Sequence, residues 1–267
     1  MTVGLAILAA LAVSALTADW LAPHDPTQQD LAANLTPPGI GHPLGRDKLG
    51  RDVFSRMVYG ARISLVVGLV TVGVSVVVGS GVGAFAGYAG GWIDEALMRA
   101  VDVLLAFPGL LLAIGLTGLL GPSLGHVIVA LCLIGWTGYA RLVRSEIRRL
   151  RQREFVEAAR ALGARADRVL LRHLLPNVAA VVVVQATFGM AAAVVAEASL
   201  SFLGLGVQPP TASWGSMLND GRAFVLTAPH LTIFPGLAIM VTVLGINLLG
   251  EGMRDRLDVR LPTDLWR

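Results

Sequence analysis

The run ISLVVGLVTVGVSVVVGSGVGAFAGY, residues 63–88, decides the class of this protein, because no charged side chain interrupts it. About 20 such residues span the hydrocarbon core of a bilayer as one helix. The chain has 267 residues, of which 55% are hydrophobic and only 15% are charged, whereas soluble domains carry about 25% charged residues. The sequence therefore predicts an all-α membrane protein.

Five further apolar runs accompany residues 63–88, and together they predict about six transmembrane helices. The first run is either a retained helix or the apolar part of a signal peptide. We expect a helix, because signal peptides open with basic residues and none precedes Lys48. We also expect this helix to be shortened on its cytoplasmic side, as a misassigned start codon would produce. The runs are Thr2–Ala18, Ala100–Leu120, His126–Val143, Asn177–Leu200 and Leu231–Gly250.

A polar segment rich in proline, glycine and charge, here called the connector, separates the first two runs and extends from Asp19 to Arg62. Its prolines argue against long regular structure. We therefore divide the chain into residues 1–62, a first transmembrane helix with an external connector, and residues 63–267, a five-helix core. The core includes a strongly charged loop at residues 144–176.

The arginines predict the orientation, since Lys and Arg collect in cytoplasmic loops. Residues 141–172 hold ten arginines and residues 254–267 hold four. With Arg99, six spans place fifteen basic residues inside (10 + 4 + 1) and six outside. Both termini are therefore expected in the cytoplasm.

Several classes of chemistry have no support in the residues. Cys132 is the only cysteine, and no Gly-Lys pair offers a phosphate-binding loop. If ATP drives this protein, another chain must bind the nucleotide and its magnesium, and we expect no cofactor in this chain. The histidines form no close pair along the sequence, so no metal site is predicted. We also find no pattern for catalysis or for binding nucleic acid.

The charged loop contains a predicted amphipathic helix. Phe155, Ala158, Ala159 and Leu162 follow the spacing of one apolar helix face. Gly163 is placed to end the helix in a left-handed cap, and Pro176 to begin the next span. Such a helix either lies in the groove of a partner protein or rests on the membrane surface, and amphipathicity alone does not separate these alternatives.

The same loop resembles a known motif. Glu157-Ala-Ala-Arg-Ala-Leu-Gly163, followed by His173-Leu-Leu-Pro176, is similar to the EAA loop of ABC-importer permeases, with His173 where isoleucine is usual. That departure, in the sequence Arg172 to Asn177, is typical of the dipeptide, oligopeptide and nickel branch. Other segments resemble the C-type (DppC/OppC) permease of that branch: His42-Pro-Leu-Gly-Arg-Asp-Lys-Leu-Gly-Arg-Asp-Val-Phe-Ser-Arg56, Tyr59-Gly-Ala-Arg-Ile-Ser-Leu65, Asp102-Val-Leu-Leu-Ala-Phe-Pro108, Glu197-Ala-Ser-Leu-Ser-Phe-Leu-Gly-Leu-Gly206 and Trp214-Gly-Ser-Met217.

The resemblance implies a pore-forming, non-enzymatic subunit in a bacterial inner membrane. Its implied partners are a second permease, two ATP-binding subunits that hold ATP and magnesium, and an extracytoplasmic solute-binding protein, all around a lipid bilayer. The implied cargo is di- or oligopeptides, with nickel, opines and sugars as alternatives. The residues implied to couple this chain to the ATPases are Glu157, Ala158, Ala159, Gly163, Leu175 and Pro176.

Three residues of the spans are candidates for a gate or pathway. Asp102 lies near the start of its span, where a structural pairing with Arg99 is the alternative. Glu197 lies near the outer rim, where it either lines a gate or caps the turn at Ser199 and Ser201. Pro108 is expected to kink its helix. A carrier driven by ions would need ionisable groups at the midplane, and these depth estimates place none there; a membrane scaffold without a pathway is the remaining alternative.

Overall fold

The computed structural model describes residues 1–257, and no β-strand occurs within that range. Short 3-10 turns at Leu31–Ala33 and Arg222–Phe224 and a π-helical turn at Val169–Leu174 join the α-helices. The α-helices are α1 (Thr2–Leu16), α2 (Ala18–Leu21), α3 (Val53–Ala89), α4 (Gly91–Leu105), α5 (Gly109–Leu120), α6 (Leu124–Leu150), α7 (Glu154–Ala161), α8 (Ala166–Arg168), α9 (Leu175–Phe202), α10 (Trp214–Gly221) and α11 (His230–Leu257).

The predicted spans correspond to six apolar segments of the structure. Four helical segments are long and apolar enough to cross a membrane: α3, α6, residues 166–202 and α11. The pair α4–α5 passes the same test together but is bent by 78°. The sixth segment is α1, whose 15 residues extend about 22 Å. The all-α fold class is confirmed, although the helix ends differ from the predicted spans. The basic tail beyond residue 257, which entered the orientation argument, lies outside the described residues.

Helix α3 begins earlier than predicted and crosses the predicted boundary at residues 62–63. Asp52 is the reason, because its side chain accepts a hydrogen bond from the Ser55 backbone N–H at 2.7 Å and so caps the helix at Val53. The last part of the connector is therefore helical. Between Ala22 and Asp52 the chain has only one 3-10 turn, as its prolines predicted.

The predicted span Ala100–Leu120 is interrupted. Pro108 ends the helical path between α4 and α5, and α4 starts at Gly91 instead of Ala100. The kink expected from Pro108 is thus confirmed, with a bend large enough to make two helices. At 12 residues, α5 extends only about 18 Å.

Glycines bring α3 and α6 into close contact. A Cβ atom on Gly79 would lie 2.6 Å from the Tyr139 Cβ, and one on Gly87 would lie 2.8 Å from the Arg144 carbonyl oxygen. Backbones this close leave no space for side chains. Likewise a Cβ on Gly4 of α1 would lie 2.6 Å from the Gly245 carbonyl oxygen in α11.

Candidate functional site

The predicted amphipathic helix is α7, and Gly163 ends it as expected. Gly163 has φ +82°, in the left-handed region. Its N–H donates to the Arg160 carbonyl oxygen at 2.9 Å, and the Ala164 N–H donates to the Ala159 carbonyl oxygen at 3.0 Å. These two bonds form a Schellman motif, which satisfies carbonyls that the end of a helix leaves free.

The predicted apolar face of α7 is largely uncovered. Leu162 is 89% exposed and Phe155 is 42% exposed. Ala158 and Glu157 are exposed as well, whereas Ala159 is half-buried. A short helix that presents large apolar side chains away from its own protein has the form of a docking element.

Val156 holds α7 to the rest of the protein. Its side chain is fully buried in an apolar cluster formed with α6, the π-helical turn and the start of α9. A displacement of α7 would therefore act on the ends of two long helices. Besides Val156, the buried members of this cluster are Ala84, Tyr139, Val143, Ile147, Leu150, Val169, Leu174, Val178 and Val182.

Tyr88 links α7 to a third long helix, α3. The guanidinium carbons of Arg151 and Arg160 lie 5.5 Å and 5.6 Å from the centroid of its ring, within the range of cation–π attraction. Arg151 also donates a hydrogen bond to the Tyr88 carbonyl oxygen at 2.8 Å. Sequence spacing gave no indication of this contact, which joins residues far apart in the chain.

Leu175 and Pro176 are the first residues of the regular α-helix α9. The prediction that a helix begins there is refined by the preceding π-helical turn, which continues the helical path back to Ala166. Turns of this type recur at functional sites, and this one lies between α7 and the span.

The sequence suggested that Asp102 pairs with Arg99, but in the structure its partner is a different arginine. Its carboxylate accepts a hydrogen bond from Arg141 of α6 at 2.5 Å. About two turns earlier in α4, the buried Asp94 accepts two hydrogen bonds from Arg144. These pairs tie α4 to α6 at the end of the molecule that carries α7, so Asp102 has a structural contact, although its side chain stays 54% exposed.

Glu197 is fully buried near the end of α9. One carboxylate oxygen accepts a hydrogen bond from the Ser201 hydroxyl at 2.7 Å, the capping contact considered in the sequence. Helix α10 covers this region, since a Cβ on Gly215 would lie 2.7 Å from the Ala198 Cα. Glu197 is therefore covered by α10 and capped within α9, and its second carboxylate oxygen is buried without a hydrogen-bond partner among the described residues.

A buried set of charges, here called the connector knot, fixes the connector to α10. Asp47 accepts hydrogen bonds from the backbone N–H groups of Leu49 and Arg51 and from the Arg51 side chain. Arg56 lies 3.5 Å from Asp47, and Arg51 also reaches Asp220 of α10 at 3.2 Å. Asp47, Arg51 and Arg56 are almost fully buried. The connector is thus firmly held, although its path is irregular.

Two histidines that are unpaired in the sequence meet in the connector. The rings of His24 and His42 stack with their centroids 4.4 Å apart, and donor atoms of both lie within 4.8 Å of an Asp52 oxygen, as metal ligands could. His42 Nδ1 is 2.8 Å from Asp52 and its Nε2 is 2.7 Å from Arg46. A neutral imidazole of His42 satisfies both of its contacts by donating to Asp52 and accepting from Arg46, whereas the buried Nδ1 of His24 has no hydrogen-bond partner among the described residues.

Two exposed carboxylates near the connector have a lowered pKa. Arg62 lowers the pKa of Asp19 through a side-chain hydrogen bond, and Tyr59 adds a second one. The hydroxyl and then the backbone N–H of Thr27 lower the pKa of Asp25. Both groups are therefore ionised near neutral pH.

Pro108 lies beside a cavity of about 270 Å³ between α3, α5, α6 and α9. Gly109 and Leu110, the first residues of α5, line it together with Ser75 of α3. Asp102 also lines a cavity, of about 500 Å³, between α4 and α6.

Comparison with known protein families gives two matches. Residues 79–262 match the family described as binding-protein-dependent transport system inner membrane component. Residues 2–38 match the N-terminal TM domain of oligopeptide transport permease C. Together the matches cover most of the chain.

Individual proteins show the same similarity. The dipeptide transport system permease protein DppC of Alkalihalophilus pseudofirmus is 42% identical over 98% of this chain and 86% of its own length. The glutathione transport system permease protein GsiD of Escherichia coli is 45% identical over 94% of this chain and 83% of its own. An inward-facing structure of the MetNI methionine ABC transporter shares the fold, with a TM-score of 0.62 at 19% identity over 76% of this chain and 97% of that one.

Proposed function

Because the chain belongs to the family of binding-protein-dependent transport system inner membrane components, it is a multi-pass permease component of an ABC importer, and we propose that its cargo is short peptides. Similarity to a dipeptide permease and to a glutathione permease supports this cargo, since both names denote substrates with peptide bonds. Membership in this family leaves no support for an ion-driven carrier or a scaffold.

The uncovered apolar face of α7 is the observation that carries the proposed mechanism. Two ATP-binding subunits, which hold ATP and magnesium, bind this chain and a second permease, and one of them receives Phe155 and Leu162 in a groove. When the ATPases close on ATP, α7 moves with that groove. The cluster around Val156 and the Tyr88 contact pass the movement to α3, α6 and α9.

The orientation follows from the same mechanism. Since α7 must meet ATPases, the charged loop lies in the cytoplasm, and six spans then put both termini there as well. The connector and α10 lie on the external side, where a solute-binding protein delivers the peptide. Glu157, Ala158, Ala159 and Gly163 present the docking helix, while Leu175 and Pro176 join it to α9.

The test uses the complete importer reconstituted in proteoliposomes, with ATP hydrolysis and dialanine uptake measured together. Leu162→Asp is expected to remove most of the ATP-dependent uptake, because a charge replaces the most exposed apolar residue of the docking face. Leu226→Asp is the matched control, since Leu226 is 98% exposed at the opposite end of the molecule. Equal uptake by the two variants would refute docking through α7, and absence of dialanine uptake by the wild type would refute the cargo.

A further inference from the structure

The cavity beside Pro108 lies near the middle of the membrane-spanning part of the protein. Ser75 of α3, Gly135 of α6 and Gly189 of α9 line it, and each is close to the midpoint of its helix. Helix α5 begins at the same depth, because the break at Pro108 stops the span partway. Thr71, Tyr139 and Gln185 add polar groups to the lining, and the remaining residues are apolar or glycine.

The first turn of α5 presents free backbone donors at this cavity. The opening N–H groups of a helix have no partner within the helix, and among the described residues no side chain caps α5. Pro108, at the capping position, has no side-chain acceptor. A helix N-terminus carries a partial positive charge that favours a carboxylate or another anion.

Ser75 is an independent sign that the cavity accepts a polar group. Its side chain is buried, with 1% exposure, and its hydroxyl has no hydrogen-bond partner within the part of the chain that the structure describes. Buried hydroxyls are normally paired. Ser75 packs against Gly135, and the neighbouring Ile134 packs against Gly109, where an added Cβ would lie 3.3 Å from Ile134 Cγ2. Two successive residues of α6 therefore bring the hydroxyl and the amides of α5 to one cavity.

We propose that this cavity is a subsite for a carboxylate of the transported molecule. The amides at the start of α5 and the Ser75 hydroxyl donate to the carboxylate, and the apolar part of the lining accepts the carbon atoms next to it. The inference rests on the proposed function and narrows it, since it requires a substrate with a free carboxylate, such as the C-terminus of a short peptide.

Each donor can be removed alone, with a matched control. Gly109→Pro removes the first amide at a position where helices tolerate proline, and the ψ of 119° at Pro108 suits a following proline. Gly109→Ala adds a side-chain carbon but keeps the N–H. Ser75→Ala removes the hydroxyl, whereas Ser80→Ala removes another unpartnered hydroxyl of α3 that does not line the cavity.

The assay is ATP-dependent uptake by the reconstituted importer, with one wild-type binding protein saturated by dialanine or by dialanine amide. Gly109→Pro and Ser75→Ala are each expected to slow dialanine uptake about 3- to 10-fold, the effect of one lost hydrogen bond. Gly109→Ala and Ser80→Ala should stay within twofold of the wild type. The wild type should also transport the free acid faster than the amide, and Gly109→Pro should reduce that preference.

The outcomes separate this inference from the proposed function. A wild type that transports dialanine, together with donor variants that match their controls, overturns the carboxylate subsite and leaves peptide import standing. A wild type without ATP-dependent dialanine uptake overturns both. Copurification of each variant with the partner subunits checks assembly, and if Gly109→Pro fails to assemble, the comparison of Ser75→Ala with Ser80→Ala decides.

Discussion

The connector and the charged loop that carries α7 differ in whether their side chains find partners within the protein. The connector has almost no regular structure before Val53, yet Asp47, Arg51 and Arg56 are buried and paired within the protein. The charged loop forms a regular, well-capped helix, yet it leaves Phe155 and Leu162 exposed.

This difference shows that regular secondary structure does not indicate whether the side chains of a segment need a partner protein. The connector knot needs nothing further, because its charges already have partners at hydrogen-bond distance. Helix α7 has a satisfied backbone but an unsatisfied apolar surface, which a partner protein would cover. Four pairs of variants test this contrast.

Asp47→Ala is expected to have the largest effect on stability. It leaves the buried guanidinium of Arg56 without its carboxylate, and breaking a buried pair costs about 3–5 kcal/mol. Thermal unfolding of the purified complex measures the loss. Asp30→Ala is the control, because its pair with Arg46 is exposed and such pairs contribute about 0–1 kcal/mol. Equal melting temperatures for the two variants would contradict the contrast between connector and loop.

Val156→Ala and Phe155→Ala change adjacent positions of α7 and should affect different properties. The first should mainly lower stability, and the second should mainly lower coupled uptake. Val156→Ala removes two buried carbon atoms and should destabilise the protein by about 2 kcal/mol. Phe155→Ala should lower the melting temperature less than Val156→Ala does, because its ring is 42% exposed, and it should reduce uptake per ATP hydrolysed, because Phe155 belongs to the docking face. If Phe155→Ala proves the less stable of the two, the assignment of the two faces of α7 is wrong.

Gly163→Val tests whether the cap of α7 contributes to coupling in addition to the stability that any strained backbone would lose. A left-handed conformation costs a residue with a side chain about 1–2 kcal/mol, so α7 should lose its cap and coupled ATP hydrolysis should fall. Gly41→Val in the connector imposes similar strain at φ +86°, with open space around the new side chain. Coupling that falls equally in both variants would point to a general loss of stability.

Arg160→Gln is expected to have the smallest effect. It removes one of the two cations from the Tyr88 ring, a contact worth about 0.5–1 kcal/mol. The ratio of uptake to hydrolysis should fall about two- to fivefold, while Arg168→Gln, an exposed position of the same loop, should leave it unchanged. If Arg160→Gln keeps the wild-type ratio of uptake to hydrolysis, the contact of α7 with Tyr88 of α3 does not contribute to coupling.

Local patterns predicted those features that depend on neighbours in the chain. Uncharged runs indicated the spans, Gly163 the end of α7, and Pro108 the break between α4 and α5. The early start of α3 could also have been predicted, because Asp is a preferred residue at the position before a helix and Asp52 directly precedes Val53.

Contacts across the fold were out of reach, since spacing along one helix carries no information about a second helix. Asp102 was therefore assigned to the nearby Arg99 when its partner is Arg141, and His24 was not linked to His42. The cavity at Ser75 depends on the packing of four helices. The burial of Val156, next to an exposed phenylalanine, depends on where the cluster of α6 and α9 lies.

The length of α3 has a mechanical consequence. Its 37 residues form a rod of about 55 Å, which joins the connector knot to Tyr88. Gly79, Gly83 and Gly87 hold one end of this rod against α6 without intervening side chains. The arm from Gly79 to Val53 is about 39 Å at 1.5 Å per residue. A tilt of the end that is held against α6 would therefore be carried along this whole arm and would move the connector knot farther than it moves Gly79.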